Sequence, residues 1–66
     1  MNHPIGTKFH PYGNKKRPVN VVIDYWTTRN NAGEVVKFEY VCEHVFCGQI
    51  VSDRFNHTAI SRGLLK

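Results

Sequence analysis

The chain of 66 residues has only two cysteines and no apolar run long enough to cross a membrane. A membrane-spanning helix needs about 20 consecutive apolar residues. Tiny secreted domains usually support a small core with several disulfides, and two cysteines do not provide such a framework. The N-terminal residues also lack the apolar segment of a signal peptide. We therefore expect a soluble, cytoplasmic protein with reduced thiols.

The chain is also too short for a large multi-step active site or a separate cofactor domain. We expect one domain, residues 1–66, whose small core buries about 60% of the surface of the unfolded chain. No Ser-His-Asp set, Gly-rich phosphate loop or paired-carboxylate motif is present. A catalytic thiolate needs a lowered pKa, whereas Glu43 beside Cys42 would raise the pKa of that thiol. We expect a binding protein rather than an enzyme, with no cofactor.

Acidic residues are missing from both ends of the chain. Residues 1–18, 19–53 and 54–66 carry net charges of +4, −3 and +3. This asymmetry is typical of attraction to phosphates or to an acidic protein surface, and equally of ordinary solubility.

Two stretches alternate with a period of two residues and are rich in β-branched and aromatic side chains. Residues 19–27 and 35–44 are therefore predicted to be strands. The Asn and Gly residues of 30–33, between them, tolerate the positive φ angles of a hairpin. We expect the faces that carry Ile23 and Phe38 to line the core.

The remaining elements are shorter. Residues 5–10 are predicted as a first strand, residues 10–18 as a basic loop between prolines, and residues 49–54 as a fourth strand. Asn56 caps a single helical turn, and residues 62–65 form a last strand. This order predicts an all-β fold, a small five-stranded SH3-like barrel with one short helical turn before the last strand. An open antiparallel sheet with a C-terminal helix is the alternative.

Two resemblances accompany this prediction. The layout resembles SH3-like, KOW-like and Tudor-like barrels in strand order. The segments IGTKF (5–9), GEVV (33–36) and AISRGL (59–64) are similar to small uncharacterised proteins of phages and prophages. The second resemblance covers most of the chain, and it implies no activity and no site residues.

The basic ends suggest a nucleic-acid interface. The first and last strands of an SH3-like barrel pair, so the two ends should converge in space. Exposed aromatic side chains beside basic residues stack on the bases of single strands. The alternative is a solvated loop, with Phe9 in the core. The residues predicted to bind nucleic acid are Lys8, Lys15, Lys16, Arg17, Arg62 and Tyr12, with Arg54, His10 and Phe9 as further candidates.

A second hypothesis is a protein partner, for example a host protein that the chain inhibits or adapts. Trp26 and Val22 lie on the side of their strand opposite the predicted core. Together with Val35 and Val41 they would form an apolar patch that suits a protein interface. The alternative is that a bent strand turns Trp26 into the core.

One pattern resembles a metal site. Zinc prefers four tetrahedral nitrogen or sulfur ligands, and Cys42, His44 and Cys47 are close in sequence, with His57 as a candidate fourth ligand. The spacing matches no common zinc knuckle, so we expect two small apolar cysteines and no metal. A disulfide between the two cysteines is disfavoured in a reducing cytosol.

Overall fold

A curled antiparallel sheet with one short helix makes up the fold. The computed structural model describes residues 3–65, and its strands follow each other in the sheet in chain order. The sheet forms a half-barrel. The strands are β1 (Lys8–Phe9), β2 (Asn20–Arg29), β3 (Val35–Phe46) and β4 (Gln49–Phe55), and the helix is α1 (His57–Ser61).

The predicted all-β fold is confirmed, but the five-stranded barrel is not, because residues 3–65 contain four strands. β1 is shorter than the predicted strand 5–10, since Pro11 follows closely and has no N–H for a ladder. The predicted last strand, residues 62–65, contributes a single bridge between Phe9 and Leu64. The observed fold therefore lies between the predicted barrel and the alternative: a sheet curled into a half-barrel, with one short helix near its C-terminal end.

Two hairpins join the long strands. In the first, the N–H of Gly33 donates to the carbonyl of Asn30 at 3.0 Å, and φ of Gly33 is +83°. This confirms the predicted hairpin over residues 30–33. In the second, Cys47 and Gly48 have φ angles of +53° and +77° and form a two-residue turn between β3 and β4.

The predicted core face of β2 is wrong for the first half of the strand, because of a β-bulge. Val22 lies opposite Cys42, and Asp24 lies opposite Val41, so Ile23 is the extra residue. An extra residue shifts the alternation by one position. Val22 therefore faces the core, and Ile23 does not share its place there.

The predicted core face of β3 is right. Tyr40 and Cys42 are fully buried, whereas Phe38, on the same face, is 38% exposed because the core does not extend that far. Beyond the bulge, Tyr25 of β2 lies opposite Tyr40, and their rings are in edge-to-face contact at 5.7 Å.

The core lies at one end of the sheet, where α1 covers its inner face. The side-chain oxygen of Asn56 accepts from the N–H of Ala59 at 2.8 Å, which confirms the predicted cap. Phe9 and Phe55 pack edge to face with their ring centroids 5.6 Å apart. The buried apolar residues are Phe9, Val22, Tyr40, Cys42, Phe55, Ala59 and Ile60.

Among residues 3–65, no helix is long enough and apolar enough to span a lipid bilayer.

Candidate nucleic-acid interface

The loop after β1 touches the segment after α1 through an unusually close backbone approach. The N–H of His10 donates to the carbonyl of Gly63 at 2.8 Å. A Cβ on Gly63 would lie 1.6 Å from the carbonyl oxygen of His10, and a Cβ on Gly13 would lie 2.8 Å from that of Arg62. Only glycine allows this contact at either position. The two basic ends of the chain therefore meet, as the predicted pairing of the first and last strands implies.

This contact forms a groove that we call the loop groove. It has a volume of about 400 Å³, and cationic side chains from opposite ends of the chain line it together with two leucines. Leu64 and Leu65 are 44% and 45% exposed, so the groove presents apolar surface beside positive charge. The lining residues are His10, Gly13, Lys15, Arg62, Gly63, Leu64 and Leu65.

The other predicted nucleic-acid residues are exposed around this groove but do not line it. Tyr12 is 52% exposed and has a φ of +56°, in a short 3-10 turn at Pro11–Gly13. The guanidinium of Arg17 lies 5.5 Å from the ring centroid of Phe55, so this cation also packs on the edge of the core. Lys8 in β1 and Lys16 in the loop are exposed.

The described segments that line the loop groove have no carboxylate side chain. Residues 3–23 and 54–65 include no Asp and no Glu. In the described part of the chain both ion pairs involve Glu39, with Lys37 at 3.7 Å and Arg54 at 4.0 Å. Within residues 3–65 no carboxylate forms an ion pair with Lys15 or Arg62, so neither cation is neutralised by a direct contact there.

The ring of His10, a residue that lines the groove, is oriented by a hydrogen bond to the loop. Its Nδ1 lies 3.0 Å from the backbone carbonyl of Arg17. A carbonyl oxygen only accepts, so Nδ1 carries the proton of the neutral ring and Nε2 keeps its lone pair. The sequence suggests only a stacking role for His10, because the partner of its ring is set by the fold of the loop.

Arg54 does not belong to this surface. Its guanidinium lies 4.9 Å from the ring centroid of Trp26, on the sheet face opposite the core. Trp26 is 48% exposed, so the strand does not turn it into the core. Arg54, Trp26 and Val41 line a shallow depression on this outer face.

The prediction that Val22 belongs to a protein interface is wrong. It is fully buried in the core because the bulge at Ile23 places it on the inner face. Val22 and Trp26 are therefore on opposite faces of the sheet, and Val22 has no surface with which to contact a partner. Val35, the first residue of β3, is 49% exposed.

The cysteines and histidines of the metal hypothesis are dispersed. Cys42 is buried, whereas Cys47 is exposed at the second hairpin. His44 Nδ1 lies 3.1 Å from the side-chain oxygen of Asn20, and the ring of His57 stacks on another histidine. Among residues 3–65 no three His, Cys, Asp or Glu side chains form a group that would hold a metal ion.

Burial governs the chemistry of Cys42. Desolvation, with a further contribution from the charge of Asp53, raises the pKa of this thiol to about 12. A thiol with such a pKa stays protonated at neutral pH and is a poor nucleophile there.

Two features of the structure are not predicted from the sequence. The first depends on contacts between residues that are distant in the chain. The N–H of His3 donates to the hydroxyl of Tyr40 at 3.2 Å, and the rings of His3 and His57 stack at 4.5 Å. Burial, followed by the charge of His57, lowers the pKa of His3. The second feature is the apolar tip of the second hairpin, where Val45 and Phe46 are 65% and 61% exposed.

No protein-family model, curated protein or solved structure matches this chain. The resemblance to phage and prophage proteins therefore stays a prediction.

Proposed function

We propose that this protein is a small non-enzymatic module that binds nucleic acid through the loop groove and the cations around it. The observation that carries the proposal is that Lys15 and Arg62, 47 positions apart in the sequence, line one groove. When such a surface binds a phosphate backbone, counterions are released from the nucleic acid, and this release favours binding whatever the base sequence.

The exposed side chains near the groove favour single-stranded over double-stranded nucleic acid. Tyr12 is half exposed and offers a ring on which a base can stack. Stacking on one aromatic ring contributes about 1–3 kcal/mol per base and requires unpaired bases. We place the protein in the cytoplasm as part of the same proposal, since an exposed free thiol such as Cys47 stays reduced there.

A matched pair of double variants tests the proposal. Lys15→Glu with Lys16→Glu reverses one charge that lines the groove and one beside it, and Arg29→Glu with Lys37→Glu reverses two charges on the first hairpin. Arg17 is left unchanged because it packs on Phe55. Each phosphate contact contributes about 0.7–0.9 to the slope of log affinity against log salt, so the first variant should lose about 1.4–1.8.

The measurement is a titration of a fluorescent single-stranded oligonucleotide at several salt concentrations with the wild type and both variants. The hairpin variant has the same net charge and should keep most of the slope. Equal slopes for both variants, or a wild type without salt-dependent binding, would contradict the proposal.

The second candidate function is binding of a protein partner through the outer face. It is favoured by Trp26, which is 48% exposed with the guanidinium of Arg54 over its ring. Trp and Arg are among the residues most enriched at the energetic centres of protein interfaces. A stoichiometric partner that survives nuclease treatment in a pull-down, and is lost with Trp26→Ser, would favour this function.

A further inference from the structure

We infer that the loop groove is a nucleotide site, in which a phosphate lies between Lys15 and Arg62 and the attached base packs on Leu64 and Leu65. This inference rests on the proposed function and names the part of the nucleic-acid strand that the groove recognises. It also assigns roles to His10 and the two leucines, which a purely electrostatic surface would not need.

The groove has the composition of a site for a ligand that is anionic at one end and apolar at the other. Its volume of about 400 Å³ falls within the range of about 300–1,000 Å³ typical of small-ligand sites. Free phosphate would engage only the two cations, and an apolar ligand would engage only the leucines. A nucleotide engages both.

His10 makes the site selective among bases. With Nδ1 donating to the carbonyl of Arg17, the acceptor of the neutral ring is Nε2. Adenine and cytosine carry an exocyclic amino group that donates to such an acceptor, whereas thymine and uracil carry a carbonyl oxygen at the corresponding position. The site should therefore prefer adenine or cytosine to uracil.

The loop that forms one wall of the groove is held by its own hydrogen bonds. The N–H of Asn14 donates to the carbonyl of Pro11 at 3.1 Å, and the side-chain oxygen of Asn14 accepts from the N–H of Lys16 at 3.0 Å. The contact with Gly63 holds the other wall. A groove that is formed before binding loses little conformational entropy when a ligand enters.

The test compares two variants that each remove one positive charge. Arg62→Gln changes the groove, and Lys37→Gln changes an exposed cation of β3 that does not line it. A fluorescent oligo-deoxyadenylate should bind Arg62→Gln about tenfold more weakly, as expected for loss of a charged hydrogen bond. It should bind Lys37→Gln no more than about twofold more weakly, as expected for an exposed charge away from the site. Circular dichroism with urea verifies that both variants fold.

A second measurement follows the methyl signals of Leu64 and Leu65 by NMR. Adenosine 5′-monophosphate should shift them in a saturable way, uridine 5′-monophosphate should bind more weakly, and inorganic phosphate at the same ionic strength should leave them in place. His10→Phe should abolish the difference between the two nucleotides.

The outcomes separate this inference from the function beneath it. If the oligonucleotide binds with a salt dependence but the two glutamine variants behave alike and the leucine signals stay in place, the nucleotide site is wrong and the proposed function stands. If the wild type shows no salt-dependent binding of oligonucleotide, the proposed function fails and the inference fails with it.

Discussion

Replacing Gly63 by alanine should strongly destabilise the protein, because the added methyl group collides with the loop after β1. The new Cβ would lie 1.6 Å from the carbonyl oxygen of His10, and real Cβ atoms essentially never come closer than 3.0 Å to another atom. The two segments must move apart by more than 1 Å, which breaks the 2.8 Å hydrogen bond from His10 to Gly63.

The magnitude follows from two contributions. Overpacking costs about 1–3 kcal/mol, and loss of a hydrogen bond costs about 0.5–1.5 kcal/mol. The expected loss in the free energy of unfolding is therefore about 1.5–4.5 kcal/mol. Domains of this length have a total of about 3–10 kcal/mol, at roughly 0.05–0.15 kcal/mol per residue. Gly63→Ala should thus remove a large share of the stability.

Gly33 provides the matched control, since its constraint is conformational and not steric. No atom lies within 4 Å of the place that a Cβ would take there, but φ of Gly33 is +83°. Gly33→Ala should cost about 1–2 kcal/mol, and Gly33→Asn should recover much of that loss because asparagine tolerates this conformation. At Gly63 asparagine should be no better than alanine.

Urea unfolding followed by circular dichroism measures all four variants. A free energy of unfolding for Gly63→Ala within about 0.5 kcal/mol of the wild type, the usual range for an ordinary surface substitution, would refute the close approach. The loop groove would then lose its structural basis.

Three further predictions concern titration, reactivity and capping. Burial and the charge of His57 hold the pKa of His3 below its ordinary value of 6.5. As the pH falls below 6.5, His3 takes up a proton in the unfolded chain but not in the folded protein, so the free energy of unfolding should decrease. His3→Asn should therefore make Tm less dependent on pH. Cys47 should react with a disulfide reagent in the native protein, whereas Cys42, buried and with a pKa of about 12, should react only after unfolding. Asn56→Ala should lower the free energy of unfolding by about 1 kcal/mol, and Asn56→Ser, which keeps a capping oxygen, by less.

Each of these has a result that would contradict it. The same pH dependence of Tm in His3→Asn and wild type would show that the histidine stack does not couple to folding. Two thiols reacting at one rate in the native state would place Cys42 at the surface. Equal stability of the alanine and serine variants at Asn56 would mean that its hydrogen bond to Ala59 contributes nothing measurable.

Local features of the fold are predictable because neighbouring residues produce them. The first hairpin depends on Asn30, whose side-chain oxygen accepts from the N–H groups of Ala32 and Glu34 at 2.9 and 3.0 Å. The helix start depends on Asn56 and a residue three positions later. Alternation over 19–27 and 35–44 is likewise sufficient to predict strands, although β2 and β3 extend to Arg29 and Phe46.

The facing of β2 is not predictable from the same pattern. Val22 and Ile23 are both apolar and β-branched, so either one suits the core and the pattern holds no sign of a bulge. Only the register against β3, with Cys42 opposite Val22, decides which residue faces inward. That register separates Val22 from Trp26 and removes it from the predicted protein interface.

The sequence by itself determined where charge lies along the chain, and so which segments are predicted to attract phosphate. It did not determine that the leucines at 64 and 65 would line a groove with Lys15, or that Arg54 would pack on Trp26 instead. Those outcomes depend on backbone segments far apart in the chain approaching within a hydrogen bond, as His10 and Gly63 do at 2.8 Å. Such contacts arise only when the whole core has packed, because no local pattern in the chain specifies which distant surface a loop will meet.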